Sequence, residues 1–372
     1  MKFSCLKSEL VQALQIAGRS VASKPQTPIL SGIYLNANDG TLEVQATDYE
    51  VGVILQVKAE VEKEGEIVVS GRYFYEVVRT LPNEEVVVEY DRSTEIIKIS
   101  SGKSTFTLLS MKAADFPKIT HIREGKRFTI NSVVLKELIR RTIFSCATDE
   151  TRPLFMGTLL EVEGGKARMV ATNSHRLAFD EGRIEESEMA ELRQYVIPKR
   201  ILEEVQHILS SEIPEKVEVT CTQSEMSFKT ERLYITTRLI EGRYPEYRRA
   251  IPSEFSKRVI LSTAEFLSAV SRVGLIARSS EYNTIKLMFN MGEVHIYSDN
   301  PVVGKAEETV QASIEGEDIG IAFNSSYLID VLKILNSESF ILELNDSLKP
   351  ALIREPDNED FLYVITPVRT KN

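Results

Sequence analysis

The chain has 372 residues, of which 42% are hydrophobic and 27% are charged, and its formal net charge at pH 7 is -10. This length predicts about two to three domains with enough apolar material for buried cores. No apolar run approaches the roughly 20 residues that span a bilayer, and the N-terminus lacks the apolar core of a signal peptide. Cys5, Cys146 and Cys221 are too few and too scattered for a disulfide framework, so we expect a cytoplasmic protein without a membrane partner.

The first predicted elements in chain order are a helix at 6–20, a strand that enters a small polar turn in VQATDYEVG, and a helix at 71–80. The second helix has apolar residues at spacing i, i+3, i+4, i+7, which is typical of one buried helical face. These residues are Phe74, Val77, Val78 and Leu81.

The stretch IKISSGKSTFTLL contains Gly102, Lys103 and Ser104 in the order that ends a nucleotide-binding P-loop. A P-loop needs its first glycine at the position of Ile97, and it must open a helix. The flanking residues are instead β-branched or aromatic and roughly alternating, which indicates two strands. We therefore predict a hairpin with Gly102 in its turn, and the ATPase interpretation is disfavoured.

Three landmarks recur along the chain in the same order. A strand and polar turn appear at Thr47, Thr172 and Ser298, with offsets of 125 and 126 residues, and a strand followed by a helix appears at Ser70, Pro198 and Asn324, with offsets of 128 and 126. An earlier helix is the third landmark, and in the last copy it opens with the capping-box pair Ser262 and Glu265. The six predicted helices lie at 6–20, 71–80, 132–145, 198–209, 263–278 and 324–335.

The later helices repeat the apolar spacing of the helix at 71–80. In the third copy the spacing is complete, whereas the second copy has Gln206 at position i+4. The apolar residues concerned are Leu202, Val205 and Leu209 in the second copy and Leu328, Val331, Leu332 and Leu335 in the third.

An internal period of this kind predicts three copies of one α+β domain, each with two helices and several strands. We place the domains at 1–121, 128–251 and 255–372. The polar linkers between them are short and are not rich in glycine and serine, which favours domains packed in a fixed arc.

The six predicted helices carry 12 lysines and arginines against 7 aspartates and glutamates, although the whole chain is acidic. One interpretation is that basic residues near helix ends, such as Arg19 and Arg278, complement the helix dipole. The other is a helical surface that faces a polyanion while acidic sheets face solvent.

The sequence contains no motif that would bring catalytic residues together. His121, His175, His207 and His295 are scattered, and no Cys-x-x-Cys or His-Glu-x-x-His pattern occurs. Ser174 and His175 are adjacent in an extended segment, so their side chains point to opposite faces. We therefore expect neither enzymatic activity nor a cofactor or metal, and a static repeat adaptor remains the alternative to a DNA-binding protein.

Several segments in order, KPQTPILSGI, TDYEVG, FPKI, ATNSHRLAF, EGRYPEYRR, AFNSSYLIDVLK and YVITPVR, closely resemble the bacterial sliding clamps, the β subunits of the replicative DNA polymerase. The resemblance spans the whole chain. It implies the DNA clamp fold: three similar domains per chain and a head-to-tail homodimeric ring, with helices inside and antiparallel sheets outside.

The resemblance also implies a processivity factor that encircles double-stranded DNA without regard to sequence. The implied protein partners are the catalytic subunit of the replicative polymerase, the clamp loader complex, translesion polymerases and mismatch-repair proteins. Weak phosphate attraction suits a clamp that slides, because excess positive charge would immobilise it.

A partner-peptide groove follows from the same resemblance and would bind a peptide that ends in leucine or phenylalanine. The sequence departs from the family pattern at Ser174, Ala250 and Thr366, which changes the expected depth of the groove. Read without the resemblance, TNSHRL is a turn beside an edge strand. The predicted lining consists of Phe155, Thr172, His175, Arg176, Leu177, Pro245, Arg249, Val364, Pro367, Val368 and Arg369.

DNA contacts implied by the resemblance are Lys24 and Arg152. An aromatic pair that often follows this arginine in the family is replaced here by Pro153 and Leu154. Charge alone adds six helical residues, each of which could equally be a solvated side chain: Arg72, Arg79, Arg140, Arg141, Lys199 and Arg272.

The resemblance finally assigns the hairpin at Gly102 to the contact between subunits, where an edge strand of the first domain would pair with one of the third domain. An apolar centre flanked by Lys-to-Glu pairs would give adhesion and register. The predicted interface residues are Lys103, Phe106, Leu108, Leu275, Ile276, Glu307 and Glu308. Otherwise Lys103 is an ordinary hairpin lysine in solvent.

Overall fold

The computed structural model describes residues 1–22, 27–209, 213–278, 283–290 and 292–369. Within these ranges the chain forms six α-helices and 25 strands, and the strands assemble into one antiparallel sheet of 13 strands and another of 12. The predicted α+β class with antiparallel sheets is therefore confirmed. In the same ranges we find no helix with the length and apolar character needed to span a bilayer.

The described residues divide into two compact units. The first unit contains residues 1–133, 185–189 and 207–239, and it holds the 13-stranded sheet. The second contains 134–184, 190–206 and the described residues from Ile240 onward, and it holds the 12-stranded sheet. Strands from the middle third of the chain thus contribute to both sheets.

The first third of the chain supplies two helices, α1 (Lys7–Arg19) and α2 (Gly71–Thr80). Helix α1 buries Leu10, Ala13, Leu14 and Ala17 at helical spacing, and it packs on α2. The strands are β1 (Lys2–Leu6), β2 (Gly32–Asn38), β3 (Thr41–Thr47), β4 (Val51–Lys63), β5 (Gly65–Ser70), β6 (Glu85–Asp91), β7 (Ile96–Ser101) and β8 (Ser104–Met111).

The middle third supplies α3 (Ser132–Thr142) and α4 (Lys199–Ile208). Helix α4 buries Leu202 and Val205, and Leu209 beyond its end is also buried, as the spacing predicts. The strands are β9 (Lys126–Asn131), β10 (Gly157–Glu163), β11 (Lys166–Thr172), β12 (Arg176–Arg183), β13 (Glu186–Ser187), β14 (Arg193–Pro198), β15 (Lys216–Cys221), β16 (Glu225–Lys229) and β17 (Leu233–Arg238).

The last third supplies α5 (Thr263–Ala277) and α6 (Ser325–Leu332), which pack on each other. The predicted cap of α5 is confirmed, since the Ser262 hydroxyl accepts a hydrogen bond from the Glu265 amide. The strands are β18 (Lys257–Ser262), β19 (Thr284–Asn290), β20 (Glu293–Asn300), β21 (Gly304–Glu315), β22 (Ile319–Asn324), β23 (Ser339–Leu344), β24 (Ala351–Glu355) and β25 (Asn358–Ile365).

The hairpin prediction for SSGKST is also confirmed. Strands β7 and β8 pair up to Ser101 and Ser104, which leaves Gly102 and Lys103 as a two-residue loop. Gly102 has a φ of +57°, a left-handed conformation that glycine adopts without strain. The chain enters a strand after this loop instead of a helix, so it lacks the geometry of a P-loop.

Both sheets continue across the boundaries of the sequence repeat. In the first unit, β4 pairs with β17 from Val51↔Thr237 to Leu55↔Leu233. In the second unit, β12 pairs with β25 from Arg176↔Ile365 to Asp180↔Phe361. The two ladders occupy corresponding places in the repeat, and the second one forms the floor of the site described next.

Candidate functional site: a groove and open strand edges

A cavity of ≈ 420 Å³ opens on the second unit, where β11 turns into β12. Its volume lies within the usual range for ligand sites. Its apolar floor belongs to a buried cluster that includes Leu177, Tyr247 and Val364. Eight of the predicted groove residues line the cavity, namely Phe155, Thr172, His175, Arg176, Leu177, Pro245, Arg249 and Val364.

The turn between β11 and β12 gives the cavity one of its edges. The Thr172 hydroxyl donates to the Arg176 carbonyl at 2.6 Å and accepts from the Ser174 amide at 3.1 Å. Ser174 has a φ of +75°, the left-handed region that favours glycine. The same turn occurs in the first third of the chain, where the Thr47 hydroxyl donates to the Val51 carbonyl and Tyr49 has a φ of +76°.

The side chain of Arg176 lines the cavity and is held in place by contacts of its guanidinium. Its Nη1 donates to Asp330 Oδ2 at 2.6 Å, and its Nη2 donates to the Phe144 carbonyl at 2.6 Å. The guanidinium also lies over the Tyr327 ring, 4.4 Å from its centroid. Although burial opposes the charge, Tyr363 and Asp330 raise the pKa of Arg176, so this arginine forms a rigid cationic part of the groove.

The opposite wall is the segment 245–252, which contains a 3-10 turn at Tyr247–Ala250. Tyr247 donates its hydroxyl to Glu161 Oε2 at 2.9 Å, and Arg248 Nη2 donates to the same oxygen at 2.6 Å. Arg249, in contrast, has a side chain that is 84% exposed, and its Nε lies 3.4 Å from Glu246 Oε2. The wall thus combines an anchored inner side with a charged rim.

The C-terminal segment is held beside the groove. The Thr366 amide and hydroxyl both donate to the His175 carbonyl, at 2.9 and 2.7 Å. Thr366 therefore joins the lining, whereas Pro367, Val368 and Arg369 follow it outside the lining residues. The Val368 amide donates to the Ala322 carbonyl at 2.8 Å, which directs this end of the chain toward β22.

The sequence reasoning missed part of the lining. Asn345, Lys349 and Pro350 come from the loop between β23 and β24. The Asn345 side-chain amide donates to the Glu254 carbonyl at 2.6 Å, which fixes one end of this loop. The Asn-Asp pair marks a turn in the sequence, but it carries no signal that the turn lies next to residues 172–177.

The candidate DNA-binding residues fall into three groups. Lys24 lies outside the described residues. Arg72, Arg79, Arg152 and Arg272 have exposed side chains, and Arg140 and Lys199 are partly exposed. Arg79 pairs with Glu76, Arg140 with Glu137, and Lys199 with Glu203.

The prediction that Arg141 contacts DNA is wrong. Its side chain is only 7% exposed, and it forms ion pairs with Glu137 at 2.6 Å and with Glu355 at 2.7 Å. Glu355 is itself 4% exposed on its side chain, and it also accepts from the Asn336 amide at 2.7 Å. Arg141 therefore neutralises a buried carboxylate and presents no charge to solvent.

Among the described residues, β8 and β21 each have an open edge, as do the strands β13, β14 and β22 at the ends of the sheets. Residues 104–109 of β8 pair with β7 alone, because β5 reaches only Ser110 and Met111. Residues 304–311 of β21 pair with β20 alone, because β18 takes over at Ala312. Unpaired backbone groups of this kind are templates for another strand.

The predicted interface residues lie at or near these edges. Lys103 and Phe106 are exposed on the β8 hairpin, and Leu108 is partly exposed. Near the other edge, Leu275 is 57% exposed, Ile276 is partly exposed, and Glu307 has a side chain that is 79% exposed. Glu308 is held by Arg272 of its own chain at 2.5 Å, so a pairing with Lys103 of a second subunit must compete with this contact.

Comparison with known proteins identifies the class. Models of the N-terminal, central and C-terminal domains of the DNA polymerase III beta subunit match residues 1–120, 129–246 and 248–369. The repeated α+β architecture is therefore that of a three-domain polymerase clamp.

Full-length relatives define the family. The beta sliding clamp of Bacillus subtilis (strain 168) is 34% identical, with 100% of both chains covered, and that of Vibrio cholerae is 31% identical, with 99% of this chain and 100% of the relative covered. A crystal structure of the DNA polymerase sliding clamp from Bacillus subtilis superposes with a TM-score of 0.94 at 32% sequence identity. A crystal structure of the DNA polymerase III subunit beta from Pseudomonas aeruginosa superposes with a TM-score of 0.93 at 30% sequence identity. Each superposition covers 100% of both chains. The chain belongs to the beta sliding clamp family.

Proposed function

We propose that two copies of this chain close head-to-tail into a ring around double-stranded DNA and act as the processivity factor of the replicative polymerase. The open edge of β8 in one subunit would pair with the open edge of β21 in the other, with Phe106 and Leu108 at the centre of the contact. A ring that is linked to DNA topologically keeps its partner at high effective concentration without tight binding to the DNA itself.

The groove beside Thr172 would receive a short peptide from each partner. An apolar floor with a polar rim suits an extended peptide that ends in large apolar side chains. The partners would be the catalytic subunit of the replicative polymerase, the clamp loader complex, translesion polymerases and mismatch-repair proteins. The clamp itself would perform no catalysis, would need no cofactor and would act in the cytoplasm.

The observation that carries this proposal is the full-length match to sliding clamps together with the cavity formed by eight of the predicted groove residues. A static repeat adaptor would share the fold but would not depend on the topology of the DNA. The two functions therefore make different predictions for closed and linear DNA.

The test is retention of the purified protein on nicked circular DNA after loading by a clamp loader. We expect the protein to stay with the circle during gel filtration and to be lost when one restriction cut linearises it. Equal retention on the circular and the linear DNA would refute the ring. As a control, DNA-end blocks on the linear molecule should restore retention.

A further inference from the structure

Glu161 lies on β10, directly behind the wall of the groove, and its side chain is 0% exposed. It lies on the same sheet face as Leu159, whose side chain belongs to the apolar cluster under the cavity. A carboxylate at this depth is costly unless its oxygens are paired and hydrogen-bonded. An acidic residue here therefore calls for a physical explanation.

The two carboxylate oxygens of Glu161 are fully engaged. Oε1 accepts from Gln194 Nε2 at 2.8 Å and from Arg248 Nη1 at 3.4 Å. Oε2 accepts from the Tyr247 hydroxyl at 2.9 Å and from Arg248 Nη2 at 2.6 Å. Three of these four contacts come from the wall, and only that of Gln194 comes from a neighbouring strand.

The backbone of the wall has no such attachment. Among the described residues, the backbone hydrogen bonds donated within 245–251 stay inside the segment, from Tyr247 to Pro245, Arg249 to Glu246 and Ile251 to Arg248. The Arg249 side chain likewise contacts Glu246 of the same segment. The polar contacts that join this turn to the sheet therefore converge on Glu161.

The corresponding turn in the first third of the chain is attached to its sheet by different contacts. The series Pro117, Lys118, Ile119 corresponds to Pro245, Glu246, Tyr247, and the residue at the position of Glu161 is Asn36. There Ile119 packs on Gly52, with its Cδ1 and Cγ1 each 3.1 Å from the place a Cβ on Gly52 would take. The Ile119 amide also donates to Gln45 Oε1 at 3.0 Å, and Lys118 pairs with Glu66, so this turn is joined to the sheet through β3 and β5. The second repeat has Leu177 in place of Gly52, and it joins its turn to β10 through Glu161.

We propose that Glu161 is a positioning residue for peptide binding: it fixes Tyr247 and Arg248 so that Pro245, Arg249, Ala250 and Ile251 form a preorganised wall of the groove. This inference rests on the proposed function of the cavity as a site for an extended peptide with apolar C-terminal side chains. A wall that is ordered before binding spares the peptide the entropic cost of ordering it.

The test uses the full-length dimer and a fluorescently labelled hexapeptide that ends in Leu-Phe. Glu161→Gln keeps the shape of the side chain but removes the charge that holds Arg248, and Tyr247→Phe removes a single hydroxyl. Glu163→Gln is the matched control, because Glu163 lies on the same strand, is 45% exposed on its side chain and pairs with Arg168 of β11 instead of with the wall. Peptide affinity and amide hydrogen exchange at Arg249 and Ile251 are measured for each variant.

We expect Glu161→Gln to weaken peptide binding by about tenfold, to accelerate exchange at Arg249 and Ile251 and to leave exchange in β10 unchanged. In the Tyr247→Phe background the same substitution should cost less, because the two side chains act through one contact. Glu163→Gln should behave as the wild type. Wild-type affinity in Glu161→Gln, or faster exchange across all of β10, would overturn the positioning role, whereas a wild-type protein that binds no peptide would refute the peptide groove itself.

Discussion

Arg141 shows that the charge of a helical residue does not reveal its role. Its guanidinium compensates the buried carboxylate of Glu355, and the same Glu355 accepts backbone amides of Asn336 and Ser337 at 2.7 and 3.2 Å. The pKa of Glu355 is lowered, because these hydrogen bonds and Arg141 outweigh the effect of burial. Removal of Arg141 would leave this charge without its main cationic partner.

We therefore expect Arg141→Ala to lower the free energy of unfolding by about 3 kcal/mol, as for other buried ion pairs broken on one side. Arg140→Ala is the control, since Arg140 pairs with the same Glu137 but is 28% exposed, and it should cost less than about 1 kcal/mol. Urea unfolding monitored by circular dichroism measures both. Equal losses for the two variants would contradict the structural role of Arg141.

Asp180 provides a pH-dependent prediction in the same region. Burial raises its pKa to about 7, with Glu137 and Asp360 adding to the effect and Arg141 opposing it. Because the pKa in the folded state exceeds that of an unfolded aspartate, about 3.9, folding favours the neutral carboxyl. This contribution to stability is complete below about pH 4 and is lost as the pH rises through about 7.

Asp180→Asn should remove this pH-dependent loss of stability. We expect the melting temperature of the variant, relative to the wild type, to increase between pH 4 and pH 7 and to stay level at higher pH. Scanning calorimetry at several pH values measures the difference, with Asp357→Asn as the control because Asp357 is exposed and is not among the groups that raise the pKa of Asp180. A difference that does not change with pH would contradict the raised pKa.

At the scale of elements, the open edge of β8 predicts which substitutions dissociate the proposed dimer. Phe106 is 40% exposed on this edge and would be covered by the second subunit. Phe106→Ala should weaken the dimer by about 2 kcal/mol or more, the usual cost of losing a central aromatic contact, and Lys103→Glu should act in the same direction. Sedimentation velocity over a range of concentrations would show the shift toward monomer.

The controls for this prediction lie on the same hairpin. Leu109 is 78% exposed on β8 but points to the sheet face opposite Phe106, and Lys98 is exposed on β7. Leu109→Ala and Lys98→Glu should leave the dimer intact. Dissociation by these two variants, or an unaltered dimer in Phe106→Ala, would show that the interface lies elsewhere.

Elements were easier to predict than the packing between them. Apolar spacing in three helices, together with the internal repeat, located all six helices to within a few residues, because both are patterns of the chain itself. Gly102 marked the turn of the hairpin, because a glycine between two strand-like segments is also a local signal. The burial of Arg141, the anchor at Glu161 and the contribution of Asn345 to the groove depend on contacts with residues more than 80 positions away, which local patterns do not encode.

At the scale of the whole molecule, topological linkage and ionic binding respond differently to salt. At about 1 M salt the screening length is about 3 Å, so phosphate contacts contribute little. We expect the loaded protein to persist on circular DNA under these conditions and to leave linear DNA. Salt-induced loss from circles at the rate seen for linear DNA would indicate ionic binding without encirclement.

The ladder between β4 and β17 limits how far the repeats can be treated as modules. A fragment that ends at residue 121 would keep β4 but lose β17, and the backbone groups of Val51–Leu55 that face β17 would be left unpaired. Such an edge favours association with other chains over solubility. The repeat that is obvious in the sequence therefore does not end at a closed sheet edge, and shortening the chain to its first repeat would create a new adhesive edge.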